Sequence, residues 1–107
     1  MKKNNDMLFQ SGMTRIFKLL SNPTRLNILM LLEHDQLSVN EIVTQLQITQ
    51  PQVSHQLAIL KDQQLVSAKK IGKKSLYQLN DPHILSVIHS TKQHVAHVIT
   101  GNKHGEE

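Results

Sequence analysis

The chain has 107 residues, with 12 Lys and Arg against 8 Asp and Glu, and its formal net charge is +4 with seven His counted as neutral. That length suits one domain, residues 1–107, without a second independent core, and the positive balance suits a polyanionic partner. With no Cys, a disulfide framework, a thiolate zinc site, an iron–sulfur cluster and a cysteine nucleophile are excluded, so any metal chemistry runs through imidazole and carboxylate.

Apolar residues make up 38% of the chain and aromatics 3%, so the core is expected to be aliphatic and small, and a second copy would help to bury it. The longest unbroken apolar run, Ile28 to Leu32, is far too short to cross a membrane. Asn4-Asn5-Asp6 after Met1-Lys2-Lys3 is no signal-peptide core. These features predict a cytoplasmic protein with neither a membrane nor a small organic substrate as partner.

From Asp6 to Leu20 the apolar residues Phe9, Met13, Ile16, Phe17 and Leu20 recur mostly at spacings of three or four, which predicts a helix with one buried stripe. Ser21-Asn22-Pro23 breaks and restarts the chain, because proline is tolerated in a first helical turn. The second helix then runs to about Glu33. Its apolar residues cover more than one face, marking it as the most buried helix. His34-Asp35-Gln36 reads as a polar loop. Ser38 and Glu41 have the spacing of a capping box, which starts a short third helix lined by Ile42, Val43 and Leu46. After Gln47 to Gln50, Pro51 opens a fourth helix with Val53, Leu57 and Leu60 inward. A capped short helix, a tight connection and a second helix have the punctuation of a helix-turn-helix. Val66 to Ile71 and Ser75 to Leu79 flank Gly72-Lys73-Lys74 and predict a β-hairpin. Asn80-Asp81-Pro82 starts a last helix from about His83 to Ile99, which Gly101 and a polar tail end. The predicted fold is mainly α with a small hairpin, a winged helix-turn-helix.

The outward face of the fourth helix carries Gln50, Gln52, Ser54, His55 and Gln56 near its start. Such amides and hydroxyls hydrogen-bond base edges in a major groove, where helix N-termini enter. The hairpin supplies Lys69, Lys70, Lys73 and Lys74, with no acid between Gln63 and Asn80. That basic tip suits the phosphate backbone of double-stranded DNA and affinity independent of sequence. Taken singly these are ordinary solvated side chains. Combined with the helix-turn-helix punctuation, they make DNA binding the better account.

The last helix poses a second question. At about 100° per residue, His94 and His97 fall about 20° and −40° from His83 on the helical wheel, so the three share a face. His83 and His94 are nevertheless about 16 Å apart along the axis, and zinc holds its ligands at about 2 Å. One helix cannot bring all three to one ion. Two antiparallel copies can, if His94 and His97 of one chain meet Asp81 and His83 of the other. The resulting shell of one carboxylate and three imidazoles suits Zn(II) or Co(II), with two sites per homodimer and the two-fold axis near Ile88 and His89. The competing reading is of solvated histidines on a terminal helix, and the residues alone leave both open. His89 lies off the shared face as an interface or surface residue, His55 belongs to the reading helix, His34 is a solvated loop residue, and His104 in the tail has no assigned task.

The segments Phe17-Lys18-Leu19-Leu20-Ser21-Asn22-Pro23-Thr24-Arg25-Leu26 and Gln50-Pro51-Gln52-Val53-Ser54-His55-Gln56-Leu57, with Leu60-Lys61 and the Gly72 wing after them, resemble the ArsR/SmtB family of bacterial metal-responsive repressors. The resemblance covers nearly the whole chain. Within the family it is similar to the CzrA-type zinc and cobalt sensors, whose D-x-H and H-x-x-H pattern falls here on Asp81, His83, His94 and His97. The resemblance implies a winged helix dimerised through its first and last helices. It further implies a repressor that leaves an inverted-repeat operator when metal binds, releasing efflux or resistance genes. Relatives that sense arsenic, lead or cadmium carry a cysteine pair on the third helix, where this chain has Ser38 and Asn40, so those thiolate functions are excluded. Pro51 stands where relatives often have a polar residue, which removes one possible DNA contact. Gln64 lies where such sensors can couple a ligand imidazole to the reading head.

Three other readings compete. A nickel-responsive repressor would recruit His104 or N-terminal groups to complete six ligands or a square plane. A winged-helix module that binds protein would leave the histidines incidental. A zinc hydrolase needs an open coordination position and a nearby base, whereas four protein ligands close the shell and the nearest Glu in sequence are Glu106 and Glu107.

Overall fold

The computed structural model describes residues 2–105. Its elements are α1 (Lys2–Leu20), α2 (Pro23–Leu32), α3 (Val39–Leu46), α4 (Gln50–Asp62), β1 (Val66–Ile71), β2 (Lys74–Leu79) and α5 (Pro82–Gly105). The predicted winged helix-turn-helix is borne out in element type and order. The differences lie at the ends. α1 begins before Asp6, and α5 runs through Gly101 to Gly105. Glycine inside a helix costs only about 1 kcal/mol, which one position in a helix of 24 residues can absorb. Glu106 and Glu107 lie outside the described residues, as do the side-chain surroundings of His104.

Local chemistry accounts for most boundaries. Asn22 caps α2 by accepting from the Arg25 N–H at 2.9 Å, with Pro23 in the first turn. Ser38 and Glu41 form the expected capping box: the Ser38 N–H donates to Glu41 Oε1 at 2.8 Å and the Glu41 N–H to Ser38 Oγ at 3.2 Å. α3 ends at Gln47, whose φ of 56° turns the chain left-handed. Thr49 and Gln52 form a second capping box, so α4 starts at Gln50, one residue before Pro51. The hairpin pairs Ile71 with Lys74 across a two-residue turn. Gly72 takes φ of 64° there, a conformation glycine adopts without steric cost.

Ile28, Leu29 and Leu32 of α2 sit at the centre of the core with Ile42, Val53, Leu57, Leu60 and Val66. α2 is the most buried helix, as expected, and Val53, Leu57 and Leu60 all point inward. Leu19 and Ile88 bring α1 and α5 to the same cluster. The wing is tied in by a bridge that the sequence pattern does not show. Leu37 and Tyr77 exchange backbone hydrogen bonds at 3.1 and 2.7 Å, which places the chain before α3 beside β2.

One expectation needs correction. The stripe on α1 is not buried in the single chain: Ile16 and Leu20 pack on the core, while Phe9 is 72% exposed and Phe17 56% exposed, with Met13 also exposed. Ile88 is buried in its own core, and His89 Nε2 lies 2.5 Å from Glu33 Oε2 at the end of α2.

Candidate nucleic-acid interface and metal centre

α3 and α4 form the helix-turn-helix, and the hairpin stands beside them. Along the outer side of α4, Gln50, Gln52, Ser54 and His55 are all exposed, because burying Val53, Leu57 and Leu60 turns the intervening residues to water. Two of the amides behave differently from the sequence expectation. Gln52 Oε1 is committed to the cap, accepting from the Thr49 N–H at 3.0 Å and from Thr49 Oγ1 at 3.1 Å. Gln56 is half-buried and turns towards α2, where its Oε1 accepts from Arg25 Nη1 at 2.9 Å. The Arg25 contact was missed because 31 residues separate the partners.

Lys69, Lys70, Lys73 and Lys74 are all exposed on the hairpin. Lys73 and Lys74 also border a polar cleft of about 470 Å³ lined by Ser38, Asn40, Glu41 and Gln50. The hydrogen bonds from Ser38 hold the Glu41 carboxyl below the usual carboxylate range, and the positive charge of Lys74 adds to the effect. Lys74 therefore faces a carboxylate as well as solvent.

The candidate ligands form two pairs on α5. At its start, Asp81 Oδ1 accepts from the His83 N–H at 2.8 Å and lies 2.6 Å from His83 Nδ1. Two donors on one tetrahedral zinc are about 3.3 Å apart. Oδ1 and Nδ1 would thus need to part by less than about 1 Å to hold one ion together. Further along, His94 and His97 are exposed one turn apart. His97 Nε2 lies beside Gly101, where even an added β-carbon would meet it only at an ordinary contact distance of 3.5 Å. The donor set therefore fits a hard-to-borderline divalent ion. The two pairs do not meet in one chain: among the described residues no three potential ligands gather at one point. His34 stays exposed near Glu33.

Asn80, one residue before Asp81, is bound to the turn between α4 and β1. Its N–H donates to the Leu65 carbonyl at 3.0 Å, and its Nδ2 donates to the Gln64 carbonyl at 3.0 Å. Gln64 itself is left-handed, with φ of 63°. The sequence drew attention to Gln64, but the contact runs through its backbone and reaches the chain beside Asp81.

Fold and surface together define a winged helix-turn-helix domain, an architecture built to present one helix to a DNA groove. The arsR family of bacterial regulatory proteins matches residues 22–68. The transcriptional repressor SmtB homolog of Synechocystis is 30% identical over 83 residues, covering 78% of this chain and 63% of its own. The transcriptional repressor SdpR of Bacillus subtilis is 37% identical over 68 residues, covering 64% of this chain and 76% of its own. Among solved structures, Rv0081 of Mycobacterium tuberculosis is similar with a TM-score of 0.80 and 26% identity, over 89% of this chain and 95% of that one. The chain belongs to the ArsR/SmtB family of bacterial transcriptional regulators, which are DNA-binding regulators and not enzymes. It spans slightly under two thirds of the first curated relatives it matches, 63% and 65%. No helix of the described residues is long and apolar enough to cross a membrane.

Proposed function

We propose that this protein is a homodimeric, metal-responsive repressor. Without metal the dimer binds an inverted-repeat operator, with Gln50, Gln52, Ser54 and His55 at base edges and the wing lysines on phosphates. Zn(II), or Co(II), then occupies two inter-subunit sites, each made of Asp81 and His83 of one copy and His94 and His97 of the other. Occupation weakens the grip on DNA and releases efflux or resistance genes. The likeness to CzrA-type sensors rests on that four-residue pattern.

The observation that carries this reading is the separation of two donor pairs, one at the start of α5 and one further along it. Neither pair completes a shell, yet two antiparallel copies complete two. A second copy also answers the exposed apolar surface. Phe9, Met13 and Phe17 on α1 and Val95, Val98 and Ile99 on α5 face water in the single chain, and an apolar cavity of about 380 Å³ opens between Phe17, Leu20, Met30 and Val95. Patches of this kind mark interaction surfaces, and a two-fold dimer matches a palindromic site.

When bound, the ion supplies a charged cross-link between two copies. The chain's own residues do the rest. Before the ion enters, Asp81 holds the His83 ring beside it through the 2.6 Å contact, so both donors of the pair are already together. Asn80 connects that turn to the Gln64 and Leu65 carbonyls just after α4, where a shift would re-aim the reading helix. The coupling is reciprocal: DNA weakens metal binding by the factor that metal weakens DNA binding.

The test is the absorption spectrum of the protein titrated with Co(II). Intense visible bands saturating at one ion per chain, and lost in His97→Ala, are expected for the four-ligand site. Weak bands of octahedral type would favour the nickel-responsive alternative, and no saturable binding would leave a winged-helix module with incidental histidines.

A further inference from the structure

Arg25 makes contacts that no DNA-reading or metal role uses. Its Nε donates to the Leu19 carbonyl at 2.9 Å and its Nη2 to the Lys18 carbonyl at 3.5 Å, both in the last turn of α1. Its Nη1 donates to Gln56 Oε1 on α4 at 2.9 Å, and its own N–H closes the Asn22 cap of α2. One half-buried guanidinium thus joins the end of α1, the start of α2 and the middle of the reading helix.

The chemistry suits arginine alone. The last carbonyls of a helix lack intrahelical partners and carry partial negative charge, so a cation there is stabilised. The planar fork aims donors in two directions at once, whereas a lysine ammonium is a point charge on a flexible stem. Gln56 is the matching acceptor, half-buried and turned towards α2.

We propose that Arg25 is a positioning residue for DNA reading. By clamping the end of α1 to Gln56, it sets the rotation of α4 relative to α1, the helix whose exposed apolar face meets the second copy. The two reading helices of a dimer then keep a fixed spacing and direction. This rests on the DNA-binding reading above. It is distinct from a phosphate contact, which needs only positive charge.

The experiment is a double-mutant cycle with Arg25→Lys and Gln56→Met. The probes are a duplex that the unmodified protein selects from a random-sequence pool and a mixed-sequence duplex of equal length. Each single variant is expected to lose about tenfold in affinity for the selected duplex and to stay within about twofold on the mixed one. The double variant is expected to lose about tenfold in total, not about a hundredfold, because either change opens the same clamp between α1 and α4. Circular dichroism and a urea midpoint report the folded fraction. If Arg25→Lys does not fold, Gln56→Met, which spares the bonds to α1, carries the test through its ratio of selected to mixed affinity. Full affinity in Arg25→Lys, losses that multiply to about a hundredfold, or parallel losses on both duplexes would each overturn the inference. An unmodified protein that selects no sequence would overturn the DNA-binding reading itself, so the two failures are distinguishable.

Discussion

Asn80 Nδ2 donates to the Gln64 carbonyl at 3.0 Å, fastening the residue before Asp81 to the turn that follows α4. The proposed ligand pair and the reading helix are therefore neighbours through one side chain. This short physical link is the route along which we expect occupation of the metal site to be felt.

Removing that link should weaken the coupling and leave both binding events. In Asn80→Ala, operator affinity without zinc is expected to stay within about threefold. The ratio of affinities without and with Zn(II) should fall by about fivefold, close to the 1 kcal/mol of one hydrogen bond. Fluorescence anisotropy of a labelled operator, with and without the ion, measures it. An unchanged ratio would show that the signal takes another path.

His97→Ala and His89→Ala should behave differently although both remove an exposed imidazole from α5. His97→Ala is expected to bind operator normally and to ignore Zn(II). His89→Ala loses only the hydrogen bond with Glu33 and is expected to keep its zinc response, at a stability cost of about 1 kcal/mol or less. Zinc titration followed by operator binding separates the two.

The wing lysines should also be unequal. Replacing Lys73 with Ala is expected to lower affinity for all duplexes alike and to reduce the salt slope by about 0.9, the release of one counterion. Lys74→Ala should change both less, because Glu41 already offsets its charge. Equal effects would mean that Lys74 turns fully to the phosphates.

Glu41 sets an acid limit on the α3 cap. Its folded pKa lies below the ordinary carboxylate range, chiefly through the hydrogen bonds with Ser38. The stabilisation is therefore present above that range and is lost as pH falls through it towards the folded value. Thermal melts should show Glu41→Gln less stable than the unmodified protein at neutral pH, with the gap closing below the ordinary range. A gap that widens in acid would contradict the assignment. Metal binding should weaken in acid for a separate reason, protonation of the imidazole ligands.

What was legible in the sequence follows from interaction range. The Ser38–Glu41 box, the Asn22-Pro23 start and the inward row Val53, Leu57 and Leu60 are set by residues three to seven apart, and the structure agrees with each. The wing was readable from strand formers around Gly72. The start of α4 was misjudged by one residue because Pro51 is a louder signal than the Thr49–Gln52 box beside it. The buried stripe on α1 was overstated because apolar spacing shows that a face is apolar, not whether it packs on its own chain or on a copy. Arg25–Gln56, Asn80–Gln64 and Leu37–Tyr77 join residues far apart in sequence, and no local pattern announces such pairs.

The most direct measurement is the affinity of the dimer for its selected operator without metal and at saturating Zn(II), at one fixed salt concentration. The account predicts a fall of at least tenfold, restored by a chelator and absent in His97→Ala. An operator affinity unchanged by zinc, in a protein that binds the ion at one per chain, would contradict it.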